Sequence, residues 1–123
     1  MKSRIPDPRP STDRLLASRL AADPTLAEAA KRWARAYLWW ATPEEVLRHQ
    51  PARLVAQVMD TGTYEDVLAL ERLLGRELLR AVLARAQAGW LRPRSWAFWH
   101  YRLGLVAPGE PPPPPPARRI GAA

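Results

Sequence analysis

Cysteine is absent from the 123 residues, which excludes disulfide scaffolds, cysteine-ligated zinc and iron–sulfur clusters. Histidine is scarce: His49 and His100 stand in different segments, neither inside an H-x-x-x-H or carboxylate–histidine cluster, so no metal site is expected. The six glycines are isolated and none builds a phosphate-cradling loop. Serine occurs at Ser3, Ser11, Ser18 and Ser95, none of them in a nucleophile elbow. No apolar run approaches the roughly 20 residues of a membrane-spanning helix. Met1–Pro10 also lacks the apolar centre of a secretory signal. These absences predict a cytoplasmic, soluble protein without catalytic residues, cofactor or metal.

Arginine and proline, by contrast, are abundant. Fourteen prolines are present, six of them consecutive from Pro111 to Pro116, and 17 of the 19 basic residues are arginine. The net charge of +7 is segregated: residues 1–42 carry +4, residues 43–78 carry −3 and residues 79–123 carry +6. A basic C-terminal third suits an anionic partner, either nucleic acid or an acidic protein face.

Hydrophobic period and capping signals predict an all-α domain of five to seven short helices over residues 13–105. An extended, mobile arm with alternating prolines covers residues 1–12, and a disordered, basic Pro-rich tail covers 106–123. Ser11, Thr12 and Asp13 offer caps for a first helix through Leu15, Leu16, Arg19 and Leu20. Leu26, Ala30, Trp33, Tyr37 and Trp40 form one apolar stripe, which predicts a helix over 25–40. Thr42-Pro43-Glu44-Glu45 reads as a capping box that opens another. Pro51 opens the next, and Gly62 is expected to end it in the left-handed conformation. Thr63 caps a helix with Val67, Leu70 and Leu74 on its inner face. Gly75 separates that helix from residues 76–88, which Gly89 closes. A last helix runs from Pro93 to Leu103, with Gly104 as its stop. The paired acids Glu44-Glu45 and Glu65-Asp66 sit where carboxylates favour a helix N-terminus, so capping accounts for them without acid–base chemistry.

Half of the ten aromatic residues fall within Trp90–Leu103. On a helical wheel Trp96, Trp99 and Leu103 share one face with His100 at its edge, whereas Phe98 and Tyr101 point nearly opposite. The first face is expected to complete the core. The second is expected to meet a partner, with Phe98, Tyr101 and Arg102 as anchors and Trp39 as a further candidate. The competing reading assigns Arg85, Arg92, Arg94 and Arg102 to nucleic-acid phosphates with the aromatics stacking on bases. The proline run has no backbone donors and little apolar surface, so residues 13–105 are expected to fold without it.

Trp39-Trp40 through Pro43, Val58–Asp66, Leu74-Gly75-Arg76-Glu77 and Leu91–Trp99 together resemble a family of short helical bacterial proteins. These are the small partners, presumed antitoxins, encoded beside nucleotidyltransferase-like toxins of the AbiE kind. The resemblance spans about residues 39–105. It implies an all-α, non-enzymatic protein that neutralises a partner toxin by direct contact.

Overall fold

The computed structural model describes residues 11–117, and these form seven helices and no strand. The helices are α1 (Thr12–Ala22), α2 (Pro24–Tyr37), α3 (Pro43–His49), α4 (Pro51–Thr61), α5 (Tyr64–Leu74), α6 (Arg76–Ala84) and α7 (Pro93–Arg102). Residues 1–10 of the expected arm, and Arg118, Arg119 and Ile120 of the tail, lie outside the described residues.

Local chemistry explains most of the boundaries. The Ser11 hydroxyl accepts from the Arg14 N–H, and the Asp23 carboxylate accepts from the N–H groups of Thr25 and Leu26. Thr63 receives the Asp66 N–H at 3.1 Å. Each of these contacts satisfies a helix-end donor that has no partner within its own helix. Gly75 takes φ 85° at the α5–α6 corner, a conformation that a side chain would strain. Gly104 at φ 71° closes α7: the Leu105 N–H reaches the His100 carbonyl and the Gly104 N–H reaches that of Tyr101, which is the Schellman arrangement.

α4 is the hub, packing against all six other helices. Its Leu54, Val55, Ala56, Val58 and Met59 are all buried. Other helices finish both of its ends. At the N-terminus Gln50 provides no side-chain cap, and the Asp13 carboxylate of α1 accepts from the Ala52 N–H at 2.8 Å. At the C-terminus the Met59 carbonyl accepts from the Trp99 indole N–H at 2.8 Å. The Asp60 carbonyl accepts from the Arg92 guanidinium at 3.0 Å and from the Ser95 hydroxyl at 3.2 Å. The Asp60 carboxylate accepts from the Arg92 backbone N–H and Nε. An acid at a helix C-terminus opposes the dipole, and here it is met by a cation and by the positive start of α7.

Arginines perform the same service elsewhere. Arg19 of α1 donates to the Leu73 and Leu74 carbonyls that end α5, and Arg80 of α6 donates to the Leu103 carbonyl that ends α7. The expected inner face of α7 is borne out, since Trp96, Trp99, His100 and Leu103 are buried and Trp99 and Leu103 are fully so.

Four boundaries differ from expectation. α2 stops at Tyr37, so Trp40 leaves the stripe and stands exposed. Leu38 and Ala41 close a turn ahead of Pro43, whose ring disfavours helical geometry in the residue before it. Thr42 makes no side-chain cap bond, and Pro43 opens α3 with its preset φ. α6 ends at Ala84, its last amides tightening into three-residue turns through Ala86. Gly62 is not left-handed; its φ is −66°.

Glycine is needed at position 62 for space. A Cβ there would lie 2.5 Å from the Val58 carbonyl oxygen and 2.9 Å from its Cγ1. Gly62→Ala should therefore distort the last turn of α4 and lower stability by about 1–3 kcal/mol in chemical denaturation. An unchanged midpoint would show that the corner has room to spare.

Candidate functional site

The outer side of α7, the end of α4 and the start of α5 enclose an open groove of about 380 Å³. Its floor is Met59 and Val67. Phe98 and Tyr64 form its exposed aromatic wall, and Arg92, Arg94 and Arg102 ring it against the single carboxylate of Asp60. Phe98 is 49% exposed and Tyr64 72% exposed, large apolar surfaces for side chains of a folded domain.

The helical period of α7 places this groove. Arg94, Phe98 and Arg102 recur every four residues and share one stripe, which the burial of Trp99 and Leu103 turns outward. Phe98 is held edge-on against Trp99 with centroids 5.4 Å apart, and the Arg102 guanidinium carbon lies 5.8 Å from its ring centre. The groove's aromatic wall is therefore preset by a fully buried neighbour.

Electrostatics divides the three arginines. Arg92 is committed to Asp60. Arg102 binds the Glu71 carboxylate of α5 with two nitrogens, Nε at 2.5 Å and Nη2 at 2.8 Å, a fork that fixes the side chain. The Arg102 hydrogen bond holds the Glu71 carboxyl below its ordinary value against the opposing effect of burial, and the charges of Arg102 and Arg76 add to the lowering. Arg94 is exposed and shows no ion pair among the described residues, which makes it the groove's uncommitted cation.

A second network backs the α5 side. The Thr63 N–H donates to the Tyr37 hydroxyl, which donates at 2.5 Å to an Asp66 carboxylate that also accepts from the Trp33 indole at 3.3 Å. Desolvation, and next the hydrogen bond to Asp66, raise the Tyr37 hydroxyl above its ordinary value. Asp66 thus joins α2 to the first turn of α5, where Tyr64 sits.

The structure unites Phe98, Arg102, Arg92 and Arg94 of the expected residues. Arg85 lies elsewhere, in the turn after α6, where it lines a separate hollow with Asp13 and Trp90 and is not free. Tyr101 points away from the groove and donates its hydroxyl proton to the Glu110 carbonyl. Trp39 is 77% exposed and sets its ring edge-on to Trp40 at 5.7 Å, on a surface that shares no residue with the groove. Sequence reasoning missed Tyr64. Its signal was positional: an aromatic directly after the Thr63 cap starts a helix and projects beyond the packed stripe.

Among the described residues no cluster of histidine and acidic side chains has the makings of a metal site, and no helix is long and apolar enough to cross a membrane. Comparison with protein-family models, with curated proteins and with solved structures gives no match.

The Glu71–Arg102 fork generates a pH dependence. A carboxyl lowered in the fold contributes stability above its unfolded value, about 4.3, and loses that contribution as pH falls through the folded value. Between about pH 5 and pH 3 the natural chain should therefore lose more stability than Glu71→Gln. Parallel loss in the two proteins, measured by denaturation at each pH, would show that the fork contributes nothing.

Proposed function

We propose that this protein is a non-enzymatic binding module that docks a protein partner in the groove between α5 and α7. The observation that carries the reading is the joint exposure of Phe98 and Tyr64 beside the uncommitted Arg94, on a rim whose other arginines are already fixed. Buried aromatic and arginine anchors supply most of the energy of protein interfaces. A preset wall adds affinity, because little side-chain freedom remains to be lost on docking. The groove suits a partner that offers an apolar side chain to Phe98 and a carboxylate to Arg94.

The resemblance of residues 39–105 supports a nucleotidyltransferase-like toxin as that partner, with the protein an antitoxin that acts by occlusion. A small rigid body laid over the toxin's cleft needs no chemistry of its own. Nucleic-acid binding by the same arginines would require Arg92 to leave Asp60 and Arg102 to leave Glu71. That leaves Arg94 to hold phosphate alone within the groove.

Co-expression with the product of the neighbouring gene should yield a stable complex and restore growth. Phe98→Ala and Arg94→Glu should each weaken that complex by about tenfold or more. Neither should lower stability by more than about 1 kcal/mol, because both side chains face water in the free protein. Failure to co-purify, with no rescue of growth, would overturn the reading. So would a Phe98→Ala protein that unfolds as readily as Trp99→Ala, because the groove wall would then be core.

A further inference from the structure

α7 has a third face. Past the Schellman turn, Ala107-Pro108-Gly109-Glu110 reverses the chain. The Glu110 N–H meets the Ala107 carbonyl at 3.0 Å, the Ala107 N–H meets the Glu110 carboxylate at 3.1 Å, and Gly109 takes φ 90°. Proline followed by a left-handed glycine is the chemistry of a type II turn. The proline run therefore returns along α7. The Trp96 indole N–H donates to the Pro113 carbonyl at 2.7 Å, and the Tyr101 hydroxyl donates to that of Glu110. Pro112 and Pro115 are half-buried while Pro111, Pro113, Pro114 and Pro116 are exposed. That three-residue spacing is one edge of a polyproline II helix.

Proline segments lack donors but carry accessible carbonyls, and their extended form is set before binding. A surface that reads them needs a ring to pack against and a donor at its rim. Trp96 and Tyr101 supply both. Trp96 is held in place by His100, whose ring lies 4.4 Å away and whose Nδ1 is 2.8 Å from the Trp96 carbonyl.

We propose that the Trp96–Tyr101 face of α7 is a polyproline-recognition surface, occupied in cis by the chain's own tail and open by displacement to a proline-rich segment of a partner. Neither Trp96 nor Tyr101 lines the groove of Phe98 and Arg94, so the two readings succeed or fail separately.

The test uses the full chain and the capped peptide acetyl-Glu-Pro-Pro-Pro-Pro-Pro-Pro-Ala-amide as probe. A full-length variant carries Pro111→Ser, Pro112→Gly, Pro113→Ser, Pro114→Gly, Pro115→Ser and Pro116→Gly, which vacates the face. In heteronuclear NMR the Trp96 indole N–H resonance should move in the variant and return, saturably, as peptide is added. The natural chain should need at least about tenfold more peptide for the same change, because a tethered tail competes at an effective concentration on the order of millimolar. In the vacated background Trp96→Phe, followed through the backbone amide resonances of α7, should weaken binding about tenfold by removing one donor. Tyr101→Phe, which keeps the ring, provides a second reading if that variant unfolds.

Identical Trp96 resonances in the natural and vacated chains would overturn the proposal, as would equal binding of a Gly-Ser peptide of the same length. A resonance in the natural chain that changes with protein concentration, together with dimers in sedimentation, would place a second copy's tail on the face and overturn the cis assignment.

Discussion

Every other helix in this domain leans on α4, and α4 cannot finish its own ends. Its N-terminal residues include no capping side chain that bonds, and its last carbonyls point at a corner too tight for a Cβ. Buried backbone groups without partners cost about as much as lost hydrogen bonds, so the solution has to come from elsewhere in the chain. It comes from α1 through Asp13 and from α7 through Arg92, Ser95 and Trp99. Docking α7 against the end of α4 buries Trp99, fixes the rotation of the helix, and turns Arg94 and Phe98 outward. The groove is a consequence of how α4 is capped.

The same logic changes the meaning of the arginine excess. Arg19, Arg80 and Arg92 donate to helix-terminal carbonyls, and Arg102 grips Glu71. A planar guanidinium with several donors suits both tasks, since it satisfies two acceptors at once and keeps its stem on apolar surface. Part of the formal positive charge is thus tied into the fold. Within the groove the cation left to a partner is Arg94.

What the sequence made legible was whatever depends on period and on local chemistry. The seven helices, the Ser11 and Thr63 caps, the Gly75 and Gly104 corners and the division of α7 into a buried and an exposed side all follow from spacing within a few residues. The end of α2 was misjudged because Trp40 continues the stripe arithmetically, although the chain has already turned toward Pro43. Gly62 was identified as a corner for the wrong reason, since what excludes a side chain there is the close approach to Val58 in the last turn of α4 and not a left-handed φ. Nothing in the order of residues shows that Arg92 meets Asp60, that Arg102 meets Glu71, or that Tyr64 stands beside Phe98. Those pairs lie about 30 positions apart. The tail was expected to be disordered because proline lacks donors, but through Pro113 it lies along α7, its carbonyls accepting from Trp96 and Tyr101.

The central claim is that α7 completes α4 and shares its cooperative unit. Native-state hydrogen exchange on the full chain tests it most directly, by comparing the Gly62 amide, which closes α4 on Val58, with the Trp96 and Leu103 amides of α7. Capping of α4 by α7 predicts that all three open together, with the same free energy and the same dependence on denaturant. Exchange of the α7 amides through a separate, lower-energy opening, with the Gly62 amide still protected, would contradict it.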